Sequence, residues 1–343
     1  MSVSPTKAVL FARGPQGDGG GVTPALVSVA NRPLLHHALD WLEEGGVEEV
    51  AILASDDIAE RARDGICTGS DWSFATSWLV QVPGESLGES LAALTSFVQA
   101  EPFVVHLADS LAEERLAGVL GNADVDPLGA VVLTHGCEAS IAPVVDMHSR
   151  RQTHGRRTAG VAVVGRAVLA TTATIDARPG NEVNQLVDHL TGIGGSVEFR
   201  STDAWWRFGE ATDTMLAGNR FALERLRAGP IHAHLRDSIV EGAVSIHPSA
   251  RVESSTVRGP AVIGPGARLD SAYVGPFTSI GADVLIEGAE IENSVILPGA
   301  AVTHLATRLE GSVIGPGARV FRDFRLPRAM RLNIGPGAEV AVT

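Results

Sequence analysis

The chain has 343 residues, of which 45% are hydrophobic and 20% are charged, and its formal net charge at pH 7 is −13. This length is enough for two domains, each with its own apolar core. The negative charge argues against nucleic acid as a partner, because a phosphate backbone attracts basic surfaces, and no apolar run approaches the length of a membrane span.

Cysteine and lysine are both scarce. Cys67 and Cys137 are far apart and lack CxxC spacing, so we expect them to be buried thiols in a reducing cytoplasm. The N-terminus lacks the pattern of a signal peptide, which also favours a cytoplasmic protein. Lys7 is the only lysine, and arginine supplies the other basic side chains. A lysine for a phosphate site could therefore come only from the beginning of the first strand.

Strands and helices alternate through the first part of the chain. Apolar runs predict strands at 8–11, 48–53, 78–82, 103–107, 129–133, 159–164 and 196–199. Helical spacing of apolar residues predicts helices from Pro33 onward and at 56–62, 90–99, 182–190 and 212–227. This alternation predicts an α/β, Rossmann-like domain with a mostly parallel sheet and ligands at the carboxyl ends of its strands. Ala228-Gly229-Pro230 is a natural boundary, giving domains 1–229 and 230–343.

The second part of the chain is repetitive. Aliphatic residues recur every five or six positions at Ile246, Val252, Val257, Ile263, Leu269, Val274, Ile280, Ile286 and Ile291. Three phrases nearly repeat outright: IGPGARL at 263–269, IGPGARV at 314–320 and IGPGAEV at 334–340. Such hexapeptide repeats predict a left-handed parallel β-helix, in which the aliphatic residue points inward and the small residues allow the corner to turn.

Six phrases are distributed along the chain: PALVSVANRPLL at 24–35, FVVHLADSL at 103–111, WWRFGE at 205–210, ENSVILPGA at 292–300, LEGSVIG at 309–315 and RLPRAMRL at 325–332. Together they resemble sugar-1-phosphate nucleotidyltransferases, most of all the long form of glucose-1-phosphate thymidylyltransferase. The resemblance implies transfer of a nucleotidyl group from a nucleoside triphosphate to a sugar 1-phosphate, with release of pyrophosphate. Positioning and electrostatics would supply most of the catalysis.

The resemblance also implies where a nucleotide would bind. The first strand, a glycine-rich loop at 13–23 and the following helix would place backbone N–H groups against a phosphate, at Ala12, Gly14 and Gly17. An ordinary flexible loop in an α/β domain would have the same composition. Gln81 could pair with a pyrimidine, and Gly88 belongs to the turn that holds the base.

On the sugar side, the resemblance implies contacts from Arg150 and Glu182. An arginine can hold phosphate in place of the family's lysines, although a basic surface loop would also explain the arginines around 150–157. Mg²⁺ is the cofactor implied, with Asp109 at the end of the 103–107 strand as a ligand. An aspartate that caps a helix N-terminus is the alternative for that residue.

Several residues that the family needs for catalysis are replaced. The arginine of the family's glycine-rich loop has no counterpart, Pro24 stands at the position of its lysine, and Phe208 replaces its second metal-binding aspartate. Single losses at such sites reduce rates by about a hundred- to a thousandfold. We therefore expect a catalytically impaired homologue that binds a nucleotide or nucleotide sugar and acts as a scaffolding or regulatory protein, with an active paralogue as one candidate partner.

Two alternatives remain open. The first is an active enzyme with a rebuilt site, in which Arg13, Arg150 and Arg207 supply the cations and Glu210 the missing acid. The second is acyl transfer on the β-helix, with a histidine base at His247 or His304.

We also expect a homo-oligomer, most simply a symmetric dimer built at least partly through the β-helix. The repeats continue to 334–340, and open coils of repeat proteins need covering. The segments at 303–308 and 321–332 interrupt the repeat and could reach another subunit. Alternatively, the second segment folds back on its own coil.

Overall fold

A computed structural model describes residues 5–12, 23–66, 72–81, 85–99, 101–120, 125–135, 157–175, 182–202, 205–208 and 212–324. The chain divides into two compact units, Met1–Leu226 and Arg227–Thr343. This division lies three residues before the predicted boundary after Gly229. Cys67 and Cys137 lie outside the described residues.

The first unit combines strands and helices. Its strands are β1 (Lys7–Ala12), β2 (Ser28–Val29), β3 (Arg32–Pro33), β4 (Glu49–Ala54), β5 (Ala75–Val80), β6 (Phe103–Leu107), β7 (Ser110–Ala112), β8 (Gly129–His135), β9 (Arg157–Val164), β10 (Ser196–Thr202) and β11 (Trp205–Arg207). Its α-helices are α1 (Leu34–Glu44), α2 (Asp56–Ile66), α3 (Leu87–Ala93), α4 (Thr95–Val98), α5 (Leu116–Leu120), α6 (Glu182–Gly192) and α7 (Thr212–Leu223). Among the described residues, 3₁₀ helices span Pro24–Leu26 and Val168–Thr174.

Seven strands form one sheet in the order β10-β8-β9-β6-β1-β4-β5. The pairs β10–β8, β6–β1, β1–β4 and β4–β5 are parallel, which confirms the predicted Rossmann-like α/β class. β9 runs antiparallel between β6 and β8. The amino end of β9 therefore lies at the same edge as the carboxyl ends of its two neighbours.

Alternating side chains of β1 fill two separate cores. Ala8 and Leu10 belong to the cluster that includes α1 residues, whereas Val9 and Phe11 belong to the cluster that includes α3 and α6 residues. Helices therefore cover both faces of the sheet, which explains why the central strands are uninterrupted apolar runs.

Two predicted elements differ from the structure in detail. The helix predicted at 90–99 is two helices, α3 and α4, which meet at Leu94. The strand predicted at 78–82 is β5, which begins three residues earlier. β5 is an edge strand with several exposed side chains, so its apolar pattern marks its bounds poorly.

The second unit is a parallel β-helix. Its strands are β12 (His234–Arg236), β13 (Ile239–Glu241), β14 (Val244–Ile246), β15 (Arg251–Glu253), β16 (Thr256–Arg258), β17 (Ala261–Ile263), β18 (Arg268–Asp270), β19 (Tyr273–Val274), β20 (Thr278–Ile280), β21 (Leu285–Glu287), β22 (Glu290–Glu292), β23 (Val295–Ile296), β24 (Ala301–Thr303), β25 (Leu309–Glu310), β26 (Val313–Ile314) and β27 (Arg319–Phe321). They form three all-parallel sheets, one of six strands and two of five.

Each coil of this helix takes about 17 residues. Val240, Val257, Val274 and Ile291 are in register on successive strands, 17 residues apart. The nine aliphatic residues that the repeat predicted to point inward are all buried in one cluster. One corner recurs with the same spacing: Asp237, Ser254, Ser271 and Gly288 all have positive φ. In the part of the chain that the structure describes, no helix has the length and apolar content needed to cross a membrane.

Candidate functional site

The carboxyl ends of four neighbouring parallel strands lie side by side at one edge of the first unit's sheet. Ala12 ends β1 opposite Ala54, the last residue of β4. Gln81 follows β5, and its backbone N–H donates to the Ala54 carbonyl over 2.9 Å. Asp109 follows β6, one residue after Ala108, whose N–H donates to the Phe11 carbonyl. The structure thus brings the predicted residues Ala12, Gln81 and Asp109 to the same edge, where α/β sheets bind ligands.

Asp109 is nearly buried and faces a guanidinium group. Its side chain is 5% exposed, and Arg207 Nε lies 3.2 Å from Oδ1 and 3.3 Å from Oδ2. The residues after Asp109 form strand β7 rather than a helix, so the alternative of a helix N-cap was wrong. Sequence reasoning did not anticipate that Arg207 pairs with Asp109, because 98 residues separate them.

Strand pairing fixes the position of Arg207. β11 runs antiparallel to β7, with Arg207 opposite Ser110. Beyond the end of β11, the Phe208 N–H donates to the Asp109 carbonyl over 2.9 Å. Residue 208, where the resemblance implies a second metal-binding aspartate, is therefore adjacent to Asp109.

Phe208 supplies no polar atom from its side chain. It packs against Trp206, with ring centroids 6.3 Å apart and planes at 75°. It also contacts an apolar cluster formed by Val27, Val29, Leu34, Leu111 and Trp206. Position 208 thus contributes to a core instead of to a charged site.

The amino end of α6 reaches the same edge. Thr158, near the start of β9, donates a 2.6 Å hydrogen bond to Oδ1 of Asn184 in the first turns of α6. Two residues along β9, Gly160 has φ +78°, and a Cβ there would come within 2.8 Å of Ser110 Oγ. Glu182 begins α6 and is buried. Its predicted contact with a sugar phosphate stays a prediction.

Gly88 packs closely against another backbone segment. Its N–H donates to the Ile175 carbonyl over 3.2 Å, and a Cβ at this position would lie 2.5 Å from the Thr172 carbonyl oxygen. Gln81 Nε2 donates to Ser90 Oγ on the same helix, α3. Helix α3 can therefore approach the Val168–Thr174 segment this closely only because residue 88 is a glycine. The role of Gly88 in holding a base stays a prediction.

Helix α3 begins with a capping box. Ser86 Oγ accepts from the Glu89 N–H, and Glu89 Oε2 accepts from the Ser86 N–H over 2.8 Å. The hydrogen bonds that the Ser86 N–H and the Ser86 hydroxyl donate to its carboxylate lower the pKa of Glu89. The side chains of Ser86 and Glu89 thus satisfy two backbone N–H groups at the amino end of α3.

Lys7 lies at the opposite edge of the sheet. It begins β1, is buried, and its Nζ donates to the Phe97 carbonyl over 2.8 Å. Because the sequence contains no other lysine, the edge that holds Asp109 and Ala12 has no lysine for a phosphate.

His106 lies in the core beneath this edge. It is fully buried, its Nδ1 is 2.8 Å from the Leu107 carbonyl, and its ring lies 5.2 Å from that of Trp41. Burial lowers its pKa from 6.5 to about 4, so the ring is neutral at physiological pH.

Other predicted residues lie outside the described residues, namely Gly14, Gly17 and Arg150, together with Arg13 and Glu210 of the rebuilt-site alternative. Within the described ranges, no group of three or more His, Cys, Asp or Glu side chains could hold a metal ion.

The two histidines considered for acyl transfer contact residues of the β-helix. His247 Nδ1 is 2.8 Å from Ser249 Oγ, and His304 Nε2 is 3.5 Å from Glu287. Both histidines are at least partly exposed.

Comparison with known proteins gives the family. No family model matches the chain. The chain is 30% identical over 333 residues to the low-salt glycan biosynthesis nucleotidyltransferase Agl11 of Haloferax volcanii, covering 92% of this chain and 93% of that protein. It is 26% and 28% identical to the glucose-1-phosphate thymidylyltransferases of Streptomyces antibioticus and Streptomyces griseus, covering 92% and 93% of this chain and 93% of each relative.

A solved structure shows the fold. It is the 2.76 Å crystal structure of a Bacillus anthracis protein described as a glucose-1-phosphate thymidylyltransferase, in complex with sucrose. The TM-score is 0.50 at 14% identity, and the match covers 65% of this chain and 97% of that one. With the Haloferax relative aligned over nearly its whole length, the chain belongs to the sugar-1-phosphate nucleotidyltransferase family.

Proposed function

We propose that the chain is a catalytically impaired member of this family, which binds a nucleotide or nucleotide sugar at the carboxyl edge of its sheet. The observation that carries the proposal is the arrangement around Asp109. Its carboxylate is paired with Arg207, and the adjacent position 208 holds a phenylalanine packed in an apolar cluster.

The chemistry of the family explains why this arrangement matters. A sugar phosphate oxygen attacks the α-phosphorus of a nucleoside triphosphate, so several negative charges converge in one place. Such reactions depend on cations placed around the phosphates. Lys7 lies at the opposite edge of the sheet, and Pro24 stands where the family has a lysine. The guanidinium of Arg207 is already balanced by the Asp109 carboxylate.

The frame for ligand binding is retained. Ala12, Gln81 and Asp109 lie along adjoining strand ends, and the amino end of α6 lies at the same edge. These features support binding of a phosphate-bearing ligand, with specificity for a base and a sugar as the finer part of the proposal.

Pyrophosphate release tests the loss of catalysis. The full-length chain is incubated with Mg²⁺, glucose 1-phosphate and each common nucleoside triphosphate in turn. We expect no release above the protein-free control. Turnover at about 1 s⁻¹ or faster, which is typical of enzymes, would show that the enzyme with a rebuilt site is the correct alternative.

Thermal unfolding tests the retention of binding. A ligand present at about a hundred times its Kd should add about 2.7 kcal/mol to the free energy of unfolding. We expect this stabilisation from at least one nucleoside diphosphate or nucleotide sugar. The same screen includes acyl-coenzyme A, and stabilisation by that compound alone would favour the acyltransferase alternative.

The partner that we propose is a second copy of the chain, and the alternative partner is an active paralogue. Either partner would suit a scaffolding or regulatory role. Phe321 and Phe324 are 56% and 68% exposed near the end of the described β-helix, which supports an interface there. Light scattering should show an oligomer for the full-length chain and a monomer for a variant that ends at Pro230. A monomeric full-length chain at micromolar concentration would contradict this.

A further inference from the structure

We infer that Arg207 takes the place of a divalent metal ion at Asp109, so that this edge of the sheet holds an internal cation and does not bind Mg²⁺ there. The inference concerns the same site as the proposed function. Two measurements test it, cation binding and the energetic coupling of Asp109 with Arg207, and neither needs a nucleotide.

The first argument is the occupancy of the carboxylate. Mg²⁺ binds oxygen atoms at about 2.0–2.1 Å in octahedral geometry, and one or two carboxylates usually anchor it. Both oxygens of Asp109 lie 3.2–3.3 Å from Arg207 Nε, so a metal on either oxygen would lie close to a guanidinium cation. Repulsion between the two cations opposes binding of the metal.

The second argument is the missing ligand. The backbone of Phe208 is hydrogen-bonded to that of Asp109, so position 208 is close enough for a second acid. Its side chain instead contacts Trp206 and the apolar cluster around it. The described residues do not fit Mg²⁺ at this point, because a single carboxylate remains where the family resemblance implies two, and that carboxylate is already paired with Arg207.

The third argument is the balance of charge. An ionised carboxylate that is 5% exposed requires a counter-ion, because burying an unpaired charge is strongly unfavourable. Arg207 meets this requirement from strand β11, whose pairing with β7 holds it in place. A metal ion would have the same electrostatic task, which the Arg207 guanidinium performs here at 3.2 Å from the carboxylate.

Cation binding is the first test. Mn²⁺ serves as the probe, because its electron paramagnetic resonance signal reports the free ion. We expect the full-length chain to show no stoichiometric site with a Kd below about 1 mM. One Mn²⁺ per chain, lost in Asp109→Asn, would overturn the inference.

A double-mutant cycle in EDTA is the second test. Asp109→Asn and Arg207→Gln should each lower Tm, by about 5 °C or more, because each leaves its partner unpaired. The double variant should lose clearly less than the sum of the two. Additive losses would show that the two side chains are not coupled, and would also overturn the inference. If only the double variant folds, that result itself demonstrates the coupling.

A matched pair controls the cycle. Arg200 and Glu198 form an ion pair at 2.9 Å on β10, with the glutamate side chain 51% exposed. The same cycle with Arg200→Gln and Glu198→Gln should show little coupling, because exposed ion pairs contribute little to stability.

Tryptophan fluorescence is the readout for both cycles. It reports unfolding of the first unit alone, since all five tryptophans lie there. A chain that passes both tests but binds no nucleotide would refute the proposed function and leave this inference standing.

Discussion

The two units of the chain keep the family pattern to different extents. In the β-helix, all nine aliphatic positions marked by the repeat are buried in one continuous core. In the α/β unit the sheet is kept, yet Pro24 and Phe208 stand where the family resemblance implies charged residues. A fold is specified by many apolar contacts that tolerate substitution, whereas catalysis depends on a few atoms of defined charge. Catalysis can therefore be lost while the fold remains.

The largest expected effect tests the β-helix core. Ile263 is 1% exposed and lies in register between Ile246 and Ile280. Ile263→Ala should lower the free energy of unfolding of the second unit by about 2–5 kcal/mol, because the removed atoms leave a cavity between packed coils. Far-UV circular dichroism in urea measures the loss, while tryptophan fluorescence follows the first unit separately.

The control for that prediction is Arg268→Ala. Arg268 is exposed on β18, in the coil that begins with Ile263, and its replacement should change the stability by no more than about 0.5 kcal/mol. Equal losses for the two variants would mean that inward and outward positions are not distinguished as the repeat predicts.

The second prediction separates a structural role of Gly88 from a role in nucleotide binding. Gly88→Ala would place a Cβ 2.5 Å from the Thr172 carbonyl and 2.9 Å from that of Ile175. We expect a loss of about 1–3 kcal/mol, since neither backbone atom can move easily. Gly192→Ala, at the end of α6, has open space around its Cβ and should be neutral or slightly stabilising. An unchanged Tm with loss of nucleotide binding would instead place Gly88 in the ligand site.

The third prediction concerns pH. The pKa of His106 is about 4 in the folded chain because of burial, against 6.5 for the ordinary group. Between these values the unfolded state binds more protons, so the free energy of unfolding falls as the pH drops from 6.5 toward 4. At pH 5 the loss is about 2 kcal/mol relative to pH 7.

His106→Phe should remove that part of the pH dependence. Urea unfolding at pH 7 and pH 5, followed by tryptophan fluorescence, gives the difference for the variant and for the parent chain. His234→Asn, at an exposed position on β12, should retain the parent's pH dependence. If His106→Phe loses as much stability as the parent on going to pH 5, the buried histidine is not the cause.

The β-helix and the central strands of the sheet could be predicted from the sequence, for a physical reason. The same spacing of aliphatic residues recurs in each coil of the β-helix, so spacing alone identifies the inward residues such as Val257 and Val274. The central strands are likewise recognisable, because both of their faces are covered. Asp109 was identified at the end of one of them through the family resemblance.

The rest depended on contacts between distant segments. Nothing local to Arg207 indicates that it pairs with a carboxylate 98 residues earlier, or that β11 aligns with β7. Nothing in β9 itself indicates that it runs antiparallel to β6. Lys7 is a further case, because the sequence left it as the one lysine available for a phosphate site. In the structure it begins β1, at the edge opposite the carboxyl ends of the parallel strands.

The smallest expected effect tests whether one residue accounts for the proposed loss of catalysis. Phe208→Asp restores an acid beside Asp109, in a backbone position already fixed by the hydrogen bond between the two residues. It leaves Pro24 in place of the lysine and Arg207 on the Asp109 carboxylate. Because residues of one catalytic site act together, restoring one of them should recover little of the rate. We therefore expect pyrophosphate release by this variant to stay at the level of the protein-free control.

Phe208→Asn is the matched control, since it has the same size as the aspartate without its charge. Both variants must first show a cooperative unfolding transition. Turnover of about 1 s⁻¹ in Phe208→Asp and none in Phe208→Asn would show that a single side chain separates this chain from an active enzyme.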